Sequence, residues 1–377
     1  MKTPLPIPLQ DLRAHHASMV DALAAAARRV IESGRYILGP EVEGLEREVA
    51  ELCGSAHGIG VSSGTDALLA LLMAAGVGPG DEVVTTPFSF FATAGAVARL
   101  GARPVFADVE PDTLNLDPEK ALAAMGPRTR AVIVVHLFGR MARTNGLAAE
   151  CEGKGIPLYE DAAQAIGARS GNGGPRAGHL GCAAAFSFFP AKNLGGFGDG
   201  GMIVTDDPRL ADDLRTLRVH GAARRYHHDR VGGNFRLDEL QAALLRVSLP
   251  ALGGWNDRRR GIAARYRQNL LDVERRERLR LPPEDPGCVF NQVVIRVGGG
   301  ARDRLARRLS ELHIETAVYY PVPLHLQACF AALDHRRGDF PVSEAAAEDV
   351  LALPCFPELA LTDVDRVCER IAEFLAA

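Results

Sequence analysis

Residues 183–205 read AAAFSFFPAKNLGGFGDGGMIVT: an apolar run that stops at Pro190, a loop holding Lys192 and four glycines, and a second apolar run, GMIVT, that opens on a fifth. Both runs have strand length, and the proline and glycines between them punctuate a loop. Upstream the same rhythm continues. From residue 58 to about 205, the segments HGIGV, DEVVTT, ARPVFA, RAVIVVH and GIPLYE alternate with helix-length stretches. Strands that alternate with helices imply crossover connections, hence an α/β protein with a mostly parallel sheet covered on both faces. Such sheets bind ligands outside the carboxyl ends of their strands, so polar residues just after the apolar runs are the functional candidates.

Three of these places carry chemistry. In VSSGTDALLALLMAAG (61–76), Ser62 to Asp66 fall at a helix N-terminus, where free N–H groups and the helix dipole can seat a phosphate. The same residue types are also preferred helix caps, and plain capping would explain the stretch as well. In GIPLYEDAAQAIGA (155–168) an apolar run ends in Glu160 and Asp161, with Gln164 one helical turn later. A carboxylate fixed there needs a positive partner to stay ionised; a pyridinium nitrogen is one such partner, and capping of the next helix is the alternative. Lys192 sits beside glycines that let other groups approach closely, so it can lose solvation and titrate low enough to attack a carbonyl. The other lysines are Lys2, Lys120 and Lys154, none so placed. A phosphate seat, a carboxylate and a Schiff-base lysine on successive edges of one sheet specify far more together than singly.

The flanks extend this picture. A proline-rich arm, MKTPLPIPLQDL, precedes predicted helices over 15–33 and 41–53, separated by a loop containing Gly34, Gly39 and Pro40. A long helical stretch over 237–270, interrupted near Gly253, leads to VFNQVVIRV (289–297), a strand of its own. With 377 residues the chain exceeds what one core usually organises, so a second domain is expected from about residue 250. A formal charge of -4 argues against nucleic-acid and membrane-surface partners. The seven cysteines are scattered and never spaced as CxxC, which predicts reduced thiols and no metal site. No apolar run has signal-peptide or membrane-span length, and a cytoplasmic location is expected.

The segments GRYILGPEV, SSGTDAL, GVGPGDEVVTTPFSFFATA, VHLFGR, EDAAQAIGA, FSFFPAKNLGGFGDGG, VGGNFRLDELQAALL and YYPVPLHLQ run nearly end to end. Through them the chain resembles the DegT/DnrJ/EryC1/StrS sugar aminotransferases, of the fold type I group of pyridoxal-phosphate enzymes. The resemblance implies an N-terminal arm (1–14), a large cofactor-binding domain (15–249) with a mostly parallel seven-stranded sheet, and a smaller C-terminal α/β domain (250–377). It implies that Lys192 forms the Schiff base with pyridoxal 5′-phosphate, that Asp161 pairs with the ring nitrogen, that Gln164 lies near the ring hydroxyl, and that Phe90 stacks on the ring. The phosphate would be held by Gly64, Thr65, Asp66 and Ser187, with Asn234 of the partner subunit, so the chain should be a homodimer.

The donor implied is L-glutamate, which leaves the cofactor as pyridoxamine 5′-phosphate, and the acceptor is a keto sugar linked to UDP, dTDP or GDP. The product would be an amino sugar for a surface polysaccharide or a glycosylated natural product. Arg236, Tyr319, Tyr320 and His325 match positions lining the sugar or donor-carboxylate pocket, with His136 a further candidate. An arginine can fork onto a carboxylate or diphosphate, although Arg236 could equally pair with Asp238 or Glu239. Ala191 stands where relatives usually carry Ser or Thr, so any hydroxyl role there is absent. Tyr319 and Tyr320 replace a His-Tyr pair seen in some relatives that aminate uronic-acid sugars. The stretches VHLFGR, RYHHDRVGGNFRLD and YYPVPLHLQ resemble relatives acting on 3-keto more than 4-keto sugars. Rival readings are a keto-cyclitol aminotransferase, a sugar dehydratase, in which histidine replaces the lysine, and a non-catalytic regulator of the same fold.

Overall fold

The computed structural model describes residues 5–275 and 278–376. Asp11 accepts hydrogen bonds from the Arg13 and Ala14 amides and so starts α1 (Leu12–His16); a 3-10 turn joins it to α2 (Val20–Ser33). The single helix expected over 15–33 is therefore two. Its break is tertiary in origin, because His15 is drawn onto Glu358 and the Trp255 ring. Gly34, at φ +64°, ends α2 in a left-handed conformation that a side chain would strain. Pro40 opens α3 (Pro40–Cys53) at the position where its missing N–H has no helical partner to lose.

The predicted strands follow as β1 (His57–Val61), β2 (Glu82–Thr85), β3 (Arg103–Phe106), β4 (Thr129–Val135), β5 (Leu158–Asp161), β6 (Ala183–Ser187) and β7 (Gly201–Thr205). Between and after them run α4 (Gly64–Ala74), α5 (Ala92–Arg99), α6 (Pro118–Ala124), α7 (Leu147–Gly153) and α8 (Pro208–Leu217). They form one seven-stranded sheet in the order β1-β7-β6-β5-β4-β2-β3. Only β7 is antiparallel to its neighbours, β1 and β6. The Lys192 loop contains no helix to carry the chain back across the sheet, so β7 returns directly beside β6.

Successive strand residues alternate between two buried faces. Val83, Ile133, Tyr159 and Ile203 pack with α4, α5 and α8 on one side. Val132, Val134 and Leu158 pack with α6 and α7 on the other, where Phe186, Met202 and Val204 meet α3. Residues 222–228 form a small hairpin, β8 (Ala222–Arg224) and β9 (His227–His228).

The helical stretch over 237–270 is interrupted at Pro250 rather than near Gly253. Helix α9 (Glu239–Ser248) ends in a 3-10 turn over Leu249–Ala251, and α10 (Leu252–Glu274) runs straight through Gly253 and Gly254. Proline has no N–H for the helical ladder, whereas glycine only weakens it. The chain passes between two cores within α10: Leu252 lies with the large sheet, and Ile262, Tyr266 and Leu270 lie in a second cluster. That cluster is built on an antiparallel sheet, β10 (Leu279–Arg280), β11 (Val293–Val297) and β12 (Val350–Leu353), with α11 (Arg302–Glu311) and α13 (Leu361–Ala376) against it. Helix α12 (Pro341–Asp349) leads into β12. Ile7 of the N-terminal arm is buried in the same cluster and pairs with Ile314. The strand expected over 289–297 is shortened to its last five residues, because Val289 and Asn291 are engaged by the Lys192 loop. No helix among the described residues is long and apolar enough to cross a membrane.

Candidate active site

Lys192 is held by its neighbours. Its own amide bonds to the Phe189 carbonyl at 2.8 Å, and the Ala191 carbonyl accepts from Gln10 Nε2 (3.0 Å) and Asn291 Nδ2 (3.3 Å). On the other side Asn193, 2 % exposed, donates to Asn256 Oδ1 (2.7 Å) and the Val289 carbonyl (2.9 Å) and accepts from Asn291 (2.8 Å). These bonds fix the backbone on both sides of the lysine, although Asn291 Oδ1 is buried without a partner. Burial lowers the Lys192 ammonium to about 8, and the charge of Asp161 opposes that shift.

Asp161 and Glu160 end β5 and, as successive strand residues, face opposite ways. Asp161 is buried, which pushes its carboxyl up; the Thr93 hydroxyl (2.7 Å), the Ala163 amide (3.2 Å) and Lys192 act against that push. Thr93 gives its proton to Asp161, so the Ser89 hydroxyl 2.9 Å away must donate to Thr93. Glu160 faces inward, completely buried. Burial pushes it up, but His136 and the amides of Gly178 and Leu180 outweigh this and hold it below the usual range.

Gln164 bridges two segments: its Oε1 accepts the Phe138 amide at 2.6 Å, and its Nε2 donates to the Tyr320 hydroxyl at 3.3 Å. Tyr320 lies 6.1 Å from Phe88 and 6.4 Å from Phe90, ring to ring, and burial drives its phenol up. Phe90 is 58 % exposed, an open aromatic face at the mouth of this group. The turn before α4 closes the cradle. Ser63 caps the helix by accepting from the Asp66 amide (3.0 Å), and the Ser62 hydroxyl bonds the Asp66 carboxylate (2.6 Å). A side chain on Gly64 would meet Ser187 Cβ at 2.8 Å, and one on Gly201 would strike the Ser63 backbone at 2.5 Å. The turn is thus a capped helix N-terminus with glycine at its two closest approaches.

The model of the DegT/DnrJ/EryC1/StrS aminotransferase family matches residues 18–372. The chain belongs to that family. It is 47% identical over 370 residues to a pleiotropic regulatory protein of Geobacillus stearothermophilus, covering 98% of each chain. It is 44% identical over 372 residues to a UDP-N-acetyl-3-dehydro-alpha-D-glucosamine 3-aminotransferase of Acidithiobacillus ferrooxidans, again 98% of each. Among solved structures it is similar to DesV of Streptomyces venezuelae, determined in complex with a ketimine intermediate, with a TM-score of 0.94, 41% identity and coverage of 99% and 100%.

The chain is an aminotransferase of this family, whose cofactor is pyridoxal 5′-phosphate. The residues present fit that group: a partly buried lysine of depressed pKa, a buried carboxylate and a glycine-backed helix N-terminus converge on one edge of the sheet. Among the described residues no cluster of His, Cys, Asp or Glu could hold a metal ion.

The remaining candidates divide. Asn234 is exposed beside β1, its backbone bridged to Val219. Arg236 bridges to Val61 and has a buried Nε without a partner. It does not pair with Glu239, whose carboxylate instead accepts from the amides of Gly39, Glu41 and Val42. Tyr319 is half-buried beside Tyr320. His325 is 2 % exposed, with Nε2 at 3.1 Å from Glu344 and Nδ1 unpartnered; burial lowers its pKa. The expectation for His136 is corrected. Its ring is completely buried, Nδ1 accepts the Ala142 amide (3.0 Å) and Nε2 therefore donates to Glu160 (2.8 Å), which leaves no polar atom for a substrate.

Sequence reasoning missed Thr93 and the three asparagines. Ser89 lies in the bend before α5 and Thr93 in its first turn, so no helical periodicity in the sequence marked their contact. Asn193, Asn256 and Asn291 are too far apart in sequence for any local pattern to join them.

Proposed function

We propose that this enzyme moves the amino group of L-glutamate onto a keto sugar carried by a nucleotide, with a 3-keto sugar favoured over a 4-keto sugar. The observation that carries the reading is the pairing of the partly buried Lys192 with the buried Asp161 at the sheet edge, backed by the close approach of Gly64 to Ser187. The nucleotide-sugar acceptor is supported by the Acidithiobacillus relative, which acts on a UDP-linked 3-dehydro sugar. The Geobacillus relative bears a regulator's name, yet a lysine shifted toward neutral pH beside a hydrogen-bonded carboxylate is what acid-base chemistry requires and a regulator does not.

Bound pyridoxal phosphate supplies a carbonyl and an electron-withdrawing ring. Lys192 would anchor it, and its amine, freed when the donor amine takes its place, would carry at Nζ the proton that leaves the donor's α carbon and deliver that proton to the carbon of the former carbonyl. Asp161, kept in place by Thr93, would face the ring nitrogen, whose positive charge would offset the burial that pushes its carboxyl up. Gly64, Thr65, Asp66 and Ser187 bind the phosphate, and Phe90 covers the ring. Gln164 fixes Tyr320 and the Phe138 loop around it. Arg236, Tyr319, Tyr320 and His325 orient the sugar or the donor carboxylate, Arg236 by its capacity to fork onto an anion. Asn234 of the partner subunit completes the phosphate site, and the enzyme works as a homodimer.

The test is to incubate the purified yellow protein with glutamate and a panel of 3-keto and 4-keto nucleotide sugars and to follow 2-oxoglutarate. Turnover on a 3-keto sugar, and less or none on 4-keto sugars, is expected. No turnover on any panel member, with cofactor bound, overturns the sugar assignment. Lys192→Ala should abolish turnover and the mass increment trapped by borohydride.

A further inference from the structure

A cavity of about 340 Å³ opens between residues 111–114, the 137–140 loop and the β10–β11 pair. Lys192, Asp161 and Gln164 do not line it, and the 137–139 backbone forms the wall on their side: Phe138 lines the cavity while its amide faces Gln164. We propose that this cavity binds a phosphate-bearing organic anion the size of a mononucleotide.

Charge is the first reason. Arg140, Arg267, Arg280 and Arg296 reach the lining from four different segments, against the two carboxylates Asp112 and Glu274. Arg140 is already satisfied by Asp285 at 2.8 Å and by the Pro283 carbonyl, and Arg267 by the Pro282 carbonyl, so both serve as walls. Arg280 and Arg296 are different. They are register partners across the antiparallel β10–β11 pair, where like charges placed opposite one another destabilise the sheet. Arg296 binds Asp349 at 3.2 Å and the Pro111 carbonyl at 3.2 Å, yet its buried Nε has no partner. Arg280 makes no ion pair or side-chain hydrogen bond with any described residue. An anion between the two guanidiniums turns a repulsive pair into a bidentate clamp, the geometry arginine offers phosphate.

The rest of the lining determines what the anion carries. Leu114, Leu137, Phe138, Phe290 and Val294 make an apolar floor that a bare inorganic ion would not use, and the volume lies within the range of small-molecule sites. Gln292 also lines the cavity, and its buried Oε1 has no partner, an acceptor ready for an N–H on the ligand. A phosphate joined to a flat body with an N–H edge, as in a nucleotide, satisfies all three features.

The experiment uses the cofactor-loaded enzyme, with titration calorimetry and thermal unfolding in the presence of UMP, uridine or inorganic phosphate. UMP should bind and raise the unfolding temperature, with uridine and phosphate each at least tenfold weaker. In Arg280→Ala the stoichiometry should fall by one UMP per chain, because any nucleotide bound near Lys192 persists, while the ligand-free unfolding temperature holds or rises as the repulsion is relieved. Arg296→Gln should lose the same site. Unchanged stoichiometry in both variants overturns the location, and phosphate binding as tightly as UMP overturns the organic ligand. A fall in the ligand-free unfolding temperature of Arg280→Ala also overturns the proposal, since Arg280 would then be a structural residue.

Discussion

A lysine in water titrates near 10.5 and is almost wholly protonated at neutral pH; Lys192 is brought to about 8 by burial, with Asp161 holding it from going lower. Only the neutral amine attacks a carbonyl. In cofactor-free enzyme, the rate of recombination with pyridoxal phosphate should therefore climb about tenfold per pH unit below 8 and level off above it, read from the growth of the yellow absorbance. The stability effect has a definite sign. A base whose folded pKa is depressed costs the folded state most below that pKa and nothing above its unfolded value, so cofactor-free enzyme should gain stability from this group as pH rises from about 8 to 10.5. Thr93→Val removes the hydroxyl that Asp161 accepts from, a bond to a charged group worth roughly 1.5–3 kcal/mol, so a fall of about 10- to 100-fold in kcat is expected with cofactor still bound.

At the scale of elements, the loop between β6 and β7 is stiff where a glycine-rich loop would be expected to be loose. The reason lies in elements distant in sequence: the arm through Gln10, α10 through Asn256 and the 289–291 segment all hold it. Helix ends are managed the same way. The α3 N-terminus has no side-chain cap of its own, and Glu239, at the start of α9, accepts from the three amides of Gly39, Glu41 and Val42. Glu239→Gln should lower unfolding stability by about 1–3 kcal/mol in a denaturant melt, because a neutral amide cannot serve all three donors. Gly261, by contrast, lies inside α10 with nothing near its would-be Cβ and no positive φ. Gly261→Ala should stabilise by roughly 0.5–1 kcal/mol in the same assay.

For the whole molecule, the β8–β9 hairpin and the residues after it leave Tyr226 79 % and Val231 86 % exposed, just before Asn234. Large apolar groups at an exposed tip are what a subunit contact needs. If the chain is the homodimer proposed above, the double substitution Tyr226→Asp and Val231→Asp should move it from dimer toward monomer in sedimentation and lower activity in step, since Asn234 would then no longer reach the proposed phosphate turn of the partner subunit. A dimer that persists with full activity would separate the hairpin from the interface.

The alternation of short apolar runs with helices made the large sheet legible, because a strand buried on both faces needs an unbroken run of apolar residues whatever surrounds it. Asp161, Gln164 and Lys192, at or just beyond the ends of those runs, were legible as candidates for the same reason: chain direction places them at the carboxyl ends; Ser187 was named only through the family resemblance. Local chemistry also marked Pro40 and Gly34 as helix punctuation. Tertiary structure decided the rest. Whether Glu160 or Asp161 faced the site depended on which side of β5 met the core; His136 was drawn inward by Glu160; and the asparagines that hold Lys192 came together only when α10 and the 289–291 segment packed on its loop. The burial of Ile7 in the second core follows from packing as well, whereas the break at Pro250 is local, proline having no N–H for the helical ladder. A sequence states what each residue can do over a few neighbours, while burial and hydrogen-bond partners are properties of contacts between residues that the chain keeps far apart.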